Sequence, residues 1–169
     1  MPPAAPTNAK QHALETVTFA HALIDKMLAS FPADKMFFQP SPTSNHAVWT
    51  MGHLAMTYMW LVTMFDPSKA PALPDSYNGL FGMGSTPSSE PSNYPPHAQV
   101  RQHYDACFAA FLRCVEDLKE SDLYAPCASE SGGFCSCKID AAMKGAWHDG
   151  WHAGQLSDLR RALKLPSIM

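Results

Sequence analysis

Apolar positions recur along this chain at helical spacing, and no stretch alternates with period two long enough for a convincing strand. From Asn8 to about Ser30, residues Leu14, Val17, Ala20, Leu23, Ile24, Met27 and Leu28 fall on one face of a helix that ends before Pro32. After Pro40 and Pro42, Ser44 can cap a second helix running to about Phe65. That segment is apolar nearly all round, the mark of a helix buried on several sides. Pro95 and Pro96 suit the first turn of a third helix, with Asn93 as its cap. It runs through Val100, Tyr104, Cys107, Phe111 and Val115 to about Glu120. A fourth helix covers about Ile139 to Leu163 and stops at Lys164 and Pro166. The pattern predicts an all-α fold, a four-helix bundle in a single domain over residues 1–169, with Pro2, Pro3 and Pro6 ahead of the first helix. Long loops join helices two and three (66–94) and helices three and four (121–137). A proline- and glycine-rich connection as long as the first is expected to be functional, as a lid or an edge of a pocket.

Composition narrows the function classes. Of the 169 residues only 16% are charged, against about 25% in an average domain, and the net charge is -3. No basic footprint for nucleic acid or anionic lipid exists. The longest nearly apolar run, Leu54 to Phe65, is far shorter than the ~20 residues that span a bilayer. The first ten residues carry no charged segment followed by an apolar stretch, and five cysteines is an odd count that fits reduced thiols. The expectation is a cytoplasmic protein with no membrane and no nucleic-acid partner. Sparse charge and a second helix apolar on nearly every side point to self-association as a homodimer.

Histidines carry the candidate chemistry. His148 and His152 lie four apart on the fourth helix, so both can reach one ion at ~2.0–2.1 Å, or else lie on a solvated face. Trp147 and Trp151 are expected to anchor this region against the core. A zinc-protease reading of the pair fails, because no His, Cys or Glu follows His152. A third ligand must come from another element. His53, among Trp49, Met56 and Trp60 on the apolar second helix, is either that ligand or a satisfied core histidine. His46 shares its face, nearer the helix end, and is the fallback.

Two segments carry a family resemblance. Trp49-Thr50-Met51-Gly52-His53-Leu54-Ala55 resembles the second-helix motif of the DinB/YfiT-like metalloenzymes. Trp147-His148-Asp149-Gly150-Trp151-His152-Ala153-Gly154-Gln155-Leu156 resembles their fourth-helix motif. Order and helix number match over about residues 8–165. The resemblance implies a four-helix bundle with a divalent metal site of nickel, zinc or iron type, and His53, His148 and His152 as the ligands. It also implies chemistry akin to that of relatives that use a low-molecular-weight thiol as cosubstrate. On that footing the expected function is a metal-dependent enzyme activating water or a small thiol, transferase-like or hydrolase-like. The alternative is a non-catalytic metal-binding or thiol- and redox-sensing bundle.

Surrounding residues divide into support and packing. Gln155 shares the His148 face and either holds a metal-bound water or bridges helices. Asp149 is turned ~100° from its ligand neighbour, either to hydrogen-bond another imidazole or as a solvated carboxylate. Thr57 either lines the cavity or packs, and Gly154 is expected to admit a neighbouring helix. Cys107 and Cys114, seven apart, read as core. Cys135 and Cys137, with Cys127 in the same loop, are either reactive thiols or small loop residues. Gly79, Gly82 and Gly84 do not make a nucleotide site, since no Lys-Ser/Thr follows and no strand precedes them.

Overall fold

The computed structural model describes residues 8–168; Pro2, Pro3 and Pro6 lie outside them. The four long helices form as the periodicity predicts. Helix α1 (Ala9–Ala29) starts at Asn8, whose extended backbone lets its side chain accept from the Gln11 amide at 2.8 Å. It stops at Ser30, two residues short of Pro32. Helix α2 (Ala47–Phe65) begins later than expected. Ser44 sits in a turn with Ser41 and gives its carbonyl to Gln39, so the cap passes to His46, whose Nδ1 accepts from the Trp49 amide at 3.0 Å. Thirteen of the nineteen α2 residues are buried, so this helix is the spine of the bundle. It packs chiefly on α4 (His97–Asp117) and also on α5 (Lys138–Ala162), while α1 lies along α5.

The 66–94 connection is partly folded. A six-residue helix, α3 (Ser76–Phe81), buries Tyr77 and Phe81 against α2. Its approach depends on Gly52: a Cβ there would lie 2.4 Å from the Phe81 ring. Gly145 similarly admits Phe111 and Leu61, whereas Gly154, expected to serve that purpose, faces open space. Trp49 Nε1 donates to Ser85 Oγ at 2.9 Å and ties the far end of the loop down. The segment thus packs against α2 along its length, through α3 and through Ser85. Asn93 belongs to a 3-10 turn (Pro91–Asn93) rather than a cap, and α4 opens directly after Pro96.

Cys107 and Cys114 are core residues of α4, as their spacing predicts. The second connection returns on itself, with the Lys138 amide donating to Ala125 O and the Ile139 amide to Leu123 O. Helix α5 ends with Lys164 in the left-handed region (φ 57°) and the Leu165 amide bonded back to Arg160 O, which satisfies a terminal carbonyl. Among the described residues, no helix is long and apolar enough to cross a membrane. The apolar girth of α2, one ground for expecting a dimer, is covered within the chain itself.

Candidate metal centre

Three imidazoles meet between α2 and α5. His53, His148 and His152 each present a ring nitrogen within 4.8 Å of the others, from two helices whose spacing is fixed by the core. His148 and His152 share a face because they stand one turn apart, their rings 4.6 Å between centroids. His53 faces them from mid-α2, its ring 5.2 Å from His148 and 5.0 Å from His152.

Neighbouring groups select the tautomers. His53 Nδ1 donates to the Phe81 carbonyl at 2.8 Å, an acceptor left free because α3 ends there. His152 Nδ1 donates to Gln155 Oε1 at 2.9 Å, and that oxygen also accepts from Asn45 Nδ2 at 3.2 Å. In both rings Nε2 is left as a bare lone pair, the arrangement that metal-binding histidines show. Trp49 stacks on His53 at 4.7 Å and 10°, which holds the ring plane.

The donor set fits a divalent ion. His53 Nε2 and His148 Nε2 are 3.4 Å apart. Bonds of ~2.0–2.1 Å at a tetrahedral angle separate two ligand nitrogens by roughly that distance. His148 Nδ1 is buried without a hydrogen-bond partner. If its proton sits on Nε2, Nδ1 is an unpaired acceptor; if on Nδ1, that N–H is an unpaired donor and bare Nε2 lone pairs face one another across the site. A cation at the centre relieves the repulsion between the lone pairs of that second arrangement. Charge is not supplied by the rings themselves. Burial holds the His148 pKa down to about 4 and that of His152 to about 3, with the neighbouring imidazoles adding to both. His53 is lowered too, by burial, against the Phe81 bond that raises it. At neutral pH all three are uncharged donors, ready for a metal without first losing a proton.

The remaining candidates separate cleanly. Gln155 bridges α5 to Asn45 and orients His152. Thr57 turns its hydroxyl back to the His53 carbonyl at 3.0 Å, a bond within its own helix. Asp149 is not solvated: it is 1% exposed and accepts from the Tyr58 hydroxyl at 2.7 Å. Burial raises its pKa to about 7 even though the Tyr58 bond lowers it. Nor do the described hydrogen bonds tie it to a site imidazole. Its face of α5 is also that of Ala153 and Leu156, which the bundle buries. Tyr58 and Tyr104 continue this interior network to His21, at 3.1 and 3.3 Å.

Trp147 and Trp151 correct another expectation. They lie on the face opposite Asp149 and stand 53% and 57% exposed, so they do not anchor the helix in the core. His46, the fallback ligand, is fully buried away from the cluster in a box with Phe37 and Tyr94. Cys135 is buried and its thiol is pushed up to about 11, chiefly by burial, so it stays protonated at neutral pH. Cys137 is half-buried beside Ser136, and both thiols are free and outside the histidine cluster. Two contributors were invisible beforehand. Phe81 acts through its backbone carbonyl, which leaves no trace in residue type, and Asn45 reaches Gln155 across 110 positions.

A family model described as the DinB superfamily matches residues 16–156, a span that holds all three histidines together with Asn45, Phe81 and Gln155. None of the curated proteins compared with the chain matches it.

Proposed function

Since the chain belongs to the DinB superfamily and gathers three neutral imidazoles about one point, we propose that it is a divalent-metal-dependent enzyme acting on a small electrophilic molecule. His53, His148 and His152 are its ligands, and the reaction is transfer of a small thiol to the electrophile or its hydrolysis. The observation that carries this reading is the pair of Nε2 lone pairs freed by the Phe81 carbonyl and by Gln155. When bound, a nickel, zinc or iron ion supplies the Lewis acidity that lowers the pKa of a water or a thiol. Three protein ligands leave coordination positions for such a molecule. The chain's own residues hold the imidazoles in place: Phe81 fixes the His53 tautomer, Gln155 fixes that of His152, and Trp49 limits rotation of His53. His53 and His148 are only partly buried, which supports access from solvent. The active unit is taken to be a homodimer, on the strength of the low charge.

One observation favours a second reading. Asp149, the carboxylate nearest in sequence to the ligands, is committed to Tyr58 and does not serve the site as a base. A non-catalytic metal-binding or thiol-sensing bundle needs no base. Metal analysis of the untagged protein decides the first point. One ion per chain is expected, lost in His53→Ala, His148→Ala and His152→Ala and kept in His46→Ala. Cobalt-substituted protein, titrated with small thiols, decides the second. A changed visible spectrum with turnover of a thiol and an electrophile supports the enzyme, while binding without turnover supports the sensor. Undiminished metal in His53→Ala refutes the ligand set.

A further inference from the structure

Two tryptophans stand half out of the protein beside the histidine cluster; among the described residues Phe19, Met83 and Tyr124 are also exposed, but only the tryptophans adjoin the three imidazoles. Trp147 and Trp151 are one turn apart on α5 and meet edge to face, 5.3 Å between centroids. The Trp147 ring lies 6.5 Å from the ring of His148, so the pair adjoins the candidate metal centre. Phe134 approaches Trp147 at 6.3 Å and Trp60 at 5.6 Å, which extends the aromatic wall back to α2. Gly150 and Gly154 lie on the same side of α5 with open space where a Cβ would be, so no neighbouring side chain from these positions covers the indoles. The wall carries no net charge: Lys144 pairs with Asp140 at 2.9 Å at one end, and Arg161 with Asp158 at 3.2 Å at the other. Paired indoles left uncovered beside a candidate metal centre offer an apolar surface to a ligand that reaches the ion.

We propose that Trp147 and Trp151 form a substrate subsite that takes an aromatic ring carried a few atoms from the reacting centre, so that the substrate is an aryl-bearing electrophile or thiol. The inference rests on the metal-centre reading given above. Flat indole faces beside a neutral wall favour stacking of a ring over recognition of a charged group. Adjacency to His148 lets one molecule span both the wall and the ion, and the same wall then excludes water from one side of the site.

Cobalt-loaded protein titrated with acetohydroxamate and with 2-phenylacetohydroxamate isolates the phenyl contribution, since both chelate alike. Binding is followed in the visible spectrum. The phenyl compound should bind about tenfold tighter or more. In Trp147→Ala/Trp151→Ala, which removes half-exposed side chains outside the core, the advantage should fall below about threefold while acetohydroxamate binding and helical circular dichroism persist. An advantage unchanged in the double variant overturns the subsite. If the double variant turns a dimer into a monomer in sedimentation with the phenyl advantage intact, the face is an interface between copies and the subsite is likewise overturned. Should neither hydroxamate bind, the metal reading fails on its own. The wall is then judged by saturation transfer from metal-free protein to 2-naphthol: transfer lost in the double variant upholds an aromatic site, and equal transfer refutes it.

Discussion

Replacing Gly52 by alanine tests whether the loop edge truly governs the metal site. The new Cβ would fall 2.4, 2.5 and 2.6 Å from Cδ1, Cγ and Cε1 of Phe81. Phe81 is fully buried and packed edge to face on Tyr77 at 4.8 Å, so its ring cannot swing aside. Alanine gains about 1 kcal/mol over glycine within a helix. Forcing a methyl into a packed core costs about 1–3 kcal/mol, and the upper part applies where the obstacle is the body of an aromatic ring. The net expectation is a loss of about 1–2 kcal/mol in urea unfolding of the metal-free protein. A second effect follows: since the ring cannot rotate away, the clash pushes Phe81 back as a whole, and its carbonyl, which accepts from His53 Nδ1 at 2.8 Å, moves with it. Disturbing such an outer partner typically weakens metal affinity by about 10–100-fold, measurable by calorimetric titration with zinc or cobalt. Gly150→Ala is the control: open space surrounds it, so only the helical gain applies and affinity should hold. A Gly52→Ala protein as stable as wild type, with unchanged affinity, would refute the argument.

Gln155→Leu keeps the side-chain bulk but removes the acceptor for His152 Nδ1, and metal affinity should fall about 10–100-fold with the fold retained; an unchanged titration would make Gln155 a mere bridge to Asn45. His46 is fully buried with its pKa lowered to about 4, so its neutral form favours folding above about pH 6.5, and that contribution is lost as pH falls toward about 4. His46→Asn retains a helix-capping side chain, and its urea midpoint should decline less than that of wild type between pH 6.5 and pH 4. Asp149 has the opposite sign: its pKa is raised to about 7, so its contribution is present in acid and lost as pH rises from about 4 through about 7. Metal-free Asp149→Asn should therefore gain stability relative to wild type across that interval, and a parallel pair of pH curves would contradict the buried carboxyl. A dimer mass is expected in sedimentation at micromolar concentration, and a monomer across that range would remove the homodimer.

Local sequence determined those features that repeat along one helix. The spacing of Val17, Ile24 and Leu28, the stops at Pro32 and Lys164, and the placement of His148 and His152 on one face all follow from 3.6 residues per turn. An apolar α2 likewise declared its own burial, since a helix with no polar face has none to give to water. What covers each face was decided only by tertiary packing. Helix α3 has six residues, too few for periodicity to show. Asp149 and Trp147 are two positions apart, and residue type alone would put the tryptophan inside and the carboxylate outside. The bundle does the reverse, because Tyr58, ninety-one positions away, supplies a donor to one face of α5 while the opposite face is left to solvent. Gly52 and Gly154 differ for the same reason: only Gly52 has a buried ring lying over it. His53, finally, could be read as ligand or core residue from α2 alone. Its part in the site depends on which nitrogen keeps its proton, and that is set by a backbone carbonyl delivered from twenty-eight residues further along the chain.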